Sequence, residues 1–369
     1  MPQPILYVAV TNHGFGHATR TASVVAEIQR QCPEILIIMT TTAPRWLLEA
    51  YIDGDFIVRP RAFDIGVVQS DSITMDRPAT LEKLRSIQKN AAATIASEVN
   101  FLKQNRVGLI LGDIPPLLPL IARAAGIPCW MMSNFGWDFI YRDWGHQEGG
   151  DEFLEIAHWI SDCFGQSDRL FRLPFCEPME AFPHITDTGL TGGDPRQDLE
   201  ELRQQLNLSA PREQTVLLTF GGLGLAKIPY AGLSQFPDWQ FITFDDTAPD
   251  LPNLIKVRDR QDRHCRPVDL MPLCGRLISK PGYGTFSEAC RTNLPITTLT
   301  RHDFAEAAVL IDGVCDVLPH QILEPEEFFE SNWQFLENPL TPPRHHQPMP
   351  EDGNRAIAQA VIDYLMQSA

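Results

Sequence analysis

Ser279-Lys280-Pro281-Gly282-Tyr283-Gly284-Thr285-Phe286-Ser287-Glu288-Ala289 follows the apolar run Leu277-Ile278 and opens a helical pattern. It reads as the end of a buried strand, a glycine turn and a helix N-terminus. Glycine lets backbone approach a ligand closely, and the free N–H groups of a helix start attract an anion. Glu288 stands one turn inside that helix. A nucleoside diphosphate fits both features. Its phosphates would lie on the backbone of Gly282, Tyr283, Gly284 and Thr285, with Lys280 adding a cation. Its ribose hydroxyls would lie on Glu288, whose carboxylate accepts two hydrogens at once. The same letters also suit a strand, turn and helix that simply need glycine, with Glu288 a favourable charge in a first helical turn.

Two more loops repeat the pattern. Ile5-Leu6-Tyr7-Val8-Ala9-Val10 reads as a buried strand leading into Thr11-Asn12-His13-Gly14-Phe15-Gly16-His17-Ala18-Thr19-Arg20 and a helical pattern through Ile28. Thr215-Val216-Leu217-Leu218-Thr219-Phe220 leads into Gly221-Gly222-Leu223-Gly224. Ligands of open α/β sheets bind at such strand carboxyl ends. Three loops spread over both halves of the chain predict an α/β protein with two Rossmann-like domains facing one cleft. Gly14, Gly16, Gly221 and Gly222 join the ligand-binding candidates.

The 369 residues suffice for two ordinary domains. Strands alternate with helical segments, which implies parallel sheets. Further strands are expected at 35–39, 107–113 and 129–133, and helices at 80–103 and 120–125. The stretch 173–211 carries Pro174, Pro178, Pro183, Pro195 and Pro211 with Gly192-Gly193. It reads as the crossover between domains, with one short helix at 197–206. The tail at 341–353 reads as a loop, and 355–366 as a last amphipathic helix. The expected units are a first Rossmann-like domain over 1–180, a second, nucleotide-binding one over 187–353, and a C-terminal helix over 354–369.

A formal net charge of −17 argues against nucleic-acid backbone binding and broad adhesion to anionic lipid. Peripheral membrane contact through a local patch stays open. No basic, apolar leader is visible, and no apolar run approaches the length of a membrane span. The eight cysteines are scattered without a Cys-x-x-Cys pair, as expected of reduced thiols in a cytoplasmic protein. Asp53-Gly54-Asp55 reads as a solvated turn, as does His345-His346. No zinc spacing and no phosphoryl-transfer loop is present, so neither a metal nor a cofactor is expected.

Together these features resemble the two-domain GT-B glycosyltransferases. The similarity is greatest to the group of the bacterial lipid-linked GlcNAc transferase and the UDP-dependent glycosyltransferases. It rests on His13-Gly-Phe-Gly-His17, Gly112-Asp113 with Gly126-Ile127-Pro128, and the 280–288 motif. Closer still, the chain resembles the glycosyltransferase-like N-terminal module of plant L-arabinokinases. The shared runs are 13–20, Asp76-Arg77 with Leu81-Glu82-Lys83, and Asn134-Phe135 with Trp137-Asp138-Phe139-Ile140-Tyr141. The kinase half of those proteins is absent here.

The resemblance implies metal-independent, inverting transfer of a sugar from a nucleotide sugar, UDP-linked, to a hydroxyl acceptor. Such a reaction needs a base, and histidine titrates near neutrality. His17, at the start of the first helix, is the leading candidate, and the resemblance assigns it the acceptor-activating role. His13 is its competitor. Asp113, at a strand end, would orient the histidine or cap the next helix. In relatives a segment after the next strand reaches the donor sugar; here that segment is 300–306, with Asp303 and Glu306 as candidates. It lacks the usual terminal glutamine, and Glu306 stands near that place. Asn134, Trp137 and Asp138 would form an acceptor wall or pack in the core. A nucleotide-sugar sensor without transfer and a sugar-nucleotide epimerase are the alternatives.

Overall fold

The computed structural model describes residues 3–69, 74–221, 225, 228–257, 265–345 and 347–368. In the first half, β1 (Ile5–Val10), β2 (Leu36–Thr40), β3 (Ile57–Arg59), β4 (Leu109–Asp113), β5 (Cys129–Ser133), β6 (Arg169–Arg172) and β7 (Ile185–Asp187) form one sheet in the order β3-β2-β1-β4-β5-β6-β7. In the second half, β8 (Thr215–Thr219), β9 (Gln240–Thr243), β10 (Leu254–Lys256), β11 (Arg276–Ser279), β12 (Ile296–Leu299) and β13 (His320–Leu323) form another in the order β10-β9-β8-β11-β12-β13. Their strand pairings are parallel. Helices cover both faces, so the central strands are continuous apolar runs and β1 is buried almost throughout.

The first sheet carries α1 (Gly16–Gln31), α2 (Arg45–Glu49), α3 (Arg77–Gln104), α4 (Leu118–Ala125), α5 (Trp137–Gly145) and α6 (Asp151–Phe164). The second carries α7 (Leu199–Gln205), α8 (Pro267–Leu270), α9 (Tyr283–Arg291), α10 (Ala305–Val317) and α11 (Pro325–Glu330). The last helix, α12 (Gly353–Ser368), returns to the first domain, where Tyr364 packs on Trp130 with ring centroids 5.3 Å apart. Among the described residues no helix is long and apolar enough to cross a membrane.

Local chemistry sets the ends of these elements. In α3 the Asp76 carboxylate accepts from Ala79 N–H at 2.9 Å, with proline in the first turn, so the helix starts three residues before the expected 80. Gly126, in the left-handed region at φ 73°, ends α4. The expected crossover needs correcting at its start. Residues 185–187 form β7, which pairs with β6, so the first domain runs through Asp187 instead of ending at 180. Prolines on either side hid a three-residue edge strand.

Candidate functional site

Both sheets turn their strand carboxyl ends toward one cavity of about 100 Å³. Its walls come from the loop after β1 (His13, Gly14, Phe15, Gly16, His17), from Thr219 and Gly221 after β8, and from 280–285 after β11. Arg301, Phe304 and Glu306, beyond β12, close it. In each sheet the cavity lies where the strand order reverses, beside β1/β4 and β8/β11, the crevice where open α/β sheets hold ligands. Helices α1 and α9 both begin here, and neither receives a side-chain cap. Their first-turn N–H groups therefore remain available to an anion. Gly14 at φ 60° and Gly221 at φ 76° adopt left-handed backbone that other residues rarely take. With Lys280, Arg301 and Arg20 in the walls, the cavity suits a negatively charged group.

His17 and Asp113 are in contact. His17 Nδ1 lies 2.8 Å from Asp113 Oδ1, with both side chains buried. A third residue, overlooked in the sequence, organises them. Arg20 lies one turn along α1 and is 2% exposed. Its Nε donates to Asp113 Oδ2 at 2.6 Å, its Nη2 to Asp113 Oδ1 at 2.5 Å and Ser133 Oγ at 3.0 Å, and its Nη1 to Asn134 Oδ1 at 2.7 Å. Nη2 also lies 2.8 Å from His17 Nδ1, but both its hydrogens are already committed. The Nδ1 hydrogen of His17 is thus left to donate to Asp113, and Nε2 keeps the lone pair, which is the tautomer a base needs. Burial by itself would raise the Asp113 carboxyl; the Arg20 charge, with His17, overcomes it and holds Asp113 well below the usual carboxylate range.

His13 stacks on Phe304 at 5.8 Å and meets Trp137 edge-on at 5.2 Å. Burial, reinforced by His17, Arg301 and Lys280, holds its imidazole well below the usual histidine range. The loop carrying it is anchored by Asp64, which accepts from Asn12 N–H at 2.7 Å and from the Thr11 hydroxyl. Thr11 in turn accepts from Trp137 Nε1 at 2.8 Å. Burial pushes the Asp64 carboxyl up to about 7. Because the folded state then holds a proton that the unfolded chain has released, Asp64 makes stability fall as pH rises from about 4 to about 7, by on the order of 1–3 kcal/mol. In Asp64→Asn that fall disappears; denaturant titrations from pH 4 to 8 that stay parallel for the two proteins would exclude it.

Most of the expected donor residues converge. Gly14, Gly16, Gly221, Lys280, Gly282, Tyr283, Gly284, Thr285 and Glu306 all line the cavity. Gly222 lies outside the described residues. Glu306 Oε1 accepts from Asn134 Nδ2 at 2.8 Å, so the Arg20 network crosses from one domain to the other. Asp303 is not in the lining; it pairs with Arg77 at 2.8 Å at the domain boundary. Glu288 also stands outside the lining. Its Oε1 accepts from the Tyr51 hydroxyl at 3.3 Å and from Gly193 N–H at 3.1 Å, and burial pushes it up to about 7. Tyr51 comes from the first domain, and its ring lies 5.0 Å from the Arg266 guanidinium.

Of the two readings of 134–141, an acceptor wall or core packing, the burial of these side chains fits the second. Trp137 is 0% exposed and Asp138 is 4% exposed. Trp137 packs beneath the two histidines, while Asp138 sits in the first turn of α5, paired with Arg142 at 3.2 Å. Asn134 is buried too, and its polar ends go to Arg20 and Glu306. An aromatic cluster after a strand carries no sign of which way its rings face, and these rings fill the core. Arg20 was legible only as a residue one turn after His17 on the same helix face. Among the described residues no group of three His, Cys, Asp or Glu side chains could hold a metal, and Asp53 pairs with Arg196 on the surface.

No protein-family model matches the chain. It is 29% identical over 309 residues to the L-arabinokinase of Arabidopsis thaliana, covering 82% of this chain and 28% of that protein. The chain thus spans less than a third of the length of the curated relative it matches. Among solved structures, it resembles a UDP-glucosyltransferase from Polygonum tinctorium capable of glucosylating indoxyl. There the TM-score is 0.63 at 12% identity, covering 99% of this chain and 94% of that one. CalG4, the calicheamicin glycosyltransferase, gives a TM-score of 0.60 at 15% identity, with both chains fully covered. The fold is therefore the GT-B arrangement of two parallel-sheet α/β domains expected from the sequence.

Proposed function

We propose that the chain is a glycosyltransferase that takes a sugar from a nucleoside diphosphate sugar, UDP-linked, and passes it to a hydroxyl acceptor with inversion. The observation that carries the reading is the buried His17–Asp113 pair, 2.8 Å apart, in the wall of a cavity where two uncapped helix N-termini from opposite domains converge. As the acceptor oxygen bonds to the anomeric carbon, its proton passes to His17 Nε2. The bond from that carbon to the diphosphate breaks, and the electron pair leaves with the nucleotide. Asp113 steadies the imidazolium that forms. First-turn N–H groups of α9, with Lys280, take up the charge on the departing diphosphate. No metal enters this scheme.

A pocket for a ligand of this size ordinarily measures several hundred Å³, so a cavity of about 100 Å³ implies that the domains part to admit the donor. Parting would also draw Tyr51 from Glu288 and free that carboxylate for the ribose. Calorimetry with UDP in EDTA tests the nucleotide assignment. UDP should bind, and Lys280→Ala should weaken it by about 1.5–3 kcal/mol, the worth of a hydrogen bond to a charged group. Absence of UDP binding sinks the UDP assignment.

Arg20 favours a second reading, nucleotide-sugar binding without transfer. It already neutralises the carboxylate that would support an imidazolium. Turnover in the intact protein, or its absence with every acceptor despite tight donor binding, separates the two readings.

A further inference from the structure

Phe304 belongs to the second domain, yet its side chain is part of the first domain's core. It is 2% exposed, stacks on His13 at 5.8 Å, and meets Phe135 at 6.0 Å and Trp137 at 6.4 Å. The Arg301 guanidinium covers it, 4.3 Å from the ring centroid. Its position is held from both sides. Trp144 Nε1 donates to the Asp303 carbonyl at 2.8 Å, and Asn134 reaches Glu306 at 2.8 Å. The aromatic socket beside the two histidines has the shape of a flat apolar ring, and the protein's own ring fills it. What remains open next to His17 carries the charged and polar groups of His13, Arg20, Lys280, Arg301 and Glu306 beside the apolar surfaces of Phe15, Pro281 and Tyr283.

We infer that Phe304 sets the acceptor class: with its ring in place the site takes a small, hydroxyl-bearing polar acceptor and excludes aryl and lipid acceptors. This rests on the transferase reading above. An aryl acceptor can enter the socket only when the domains are apart. It then occupies the volume Phe304 needs for closure, so the Asn134–Glu306 contact cannot form around it. A polar acceptor stays within the charged part of the cavity and leaves the ring in place.

Phenol binding tests the socket without requiring turnover. In the full chain, Phe304→Ala vacates a ring-sized apolar space and should bind phenol at least about tenfold tighter than the wild type, as apolar cavities bind small aromatics. Phe304→Val keeps part of the fill and should show a smaller gain. A folded Phe304→Ala protein that binds phenol no tighter than the wild type overturns the inference. So does unfolding of both variants, which would make the ring a structural support rather than an occupant of a ligand socket. In the transfer arm, UDP release from UDP-glucose by the wild type should rise with glycerol or free glucose and not with 4-nitrophenol, and Phe304→Ala should gain the 4-nitrophenol reaction. Equal wild-type rates with 4-nitrophenol and glucose overturn it. Failure of the wild type to bind UDP counts against the UDP-linked transferase reading, while the phenol comparison judges the socket on its own.

Discussion

His17→Ala lowers turnover by about 10²–10⁴-fold, the usual worth of a positioned general base, while UDP affinity stays within a few-fold of the wild type. The separation follows from geometry. His17 is held by Asp113 through Nδ1, at the first-domain wall of the cavity. The groups proposed for the diphosphate sit on the opposite wall, in 280–285. Removing the imidazole deprives the acceptor of its proton sink and leaves the anion site intact. Steady-state rates with a productive acceptor, paired with UDP calorimetry, read the two effects separately. Loss of UDP binding in the variant would move His17 into the phosphate cradle. Full activity would pass the base role to His13, whose burial, with His17, Arg301 and Lys280 nearby, disfavours the imidazolium it would have to form.

Arg20→Met carries the largest expected cost in stability, about 3–5 kcal/mol, because it leaves the Asp113 carboxylate buried without its cation. Asp113 is 0% exposed, and Arg20 approaches both of its oxygens. Thr21 Oγ1, at 3.0 Å, and the His17 Nδ1 hydrogen are the side-chain donors that would remain. Asp113→Asn strands Arg20 in the same way, so its effect on turnover cannot be read as loss of an orienting hydrogen bond alone. Replacing both together, as Arg20→Met with Asp113→Leu, should recover most of the loss, since a buried pair exchanged for apolar groups of similar volume is often neutral. Denaturant midpoints of the two single variants and the double variant form the cycle. Additive losses would mean that the pair is not coupled.

The strand, glycine turn and helix around 280–288 could be read directly, because each part is set by residues within a few positions. Apolar runs bury, glycine turns, and the helix starts where side-chain periodicity changes. The loop at 13–17 was equally legible, whereas Asp113 could be read only as a strand end that would orient His17 or cap a helix; that β1 and β4 are neighbours came from the sheet. The short strand β7 was not. Three exposed residues between prolines form a strand only because the edge of β6 is there to receive them.

The fold and the composition of the cavity were thus determined by the sequence itself, through local propensity and the burial of apolar runs that any compact arrangement must satisfy. Tertiary structure decided how the charges and rings are shared. Arg20 and Asp113 are 93 residues apart, and nothing near either of them shows that one neutralises the other. Phe304 and Tyr51 take their positions across the domain boundary, where the partner surface comes from a distant part of the chain. Trp137 turned inward to fill the space beneath the histidines, and Asp138 pairs with Arg142. A buried ion pair or a filled socket depends on distance and on the exclusion of water, and both exist only after the two sheets have come together.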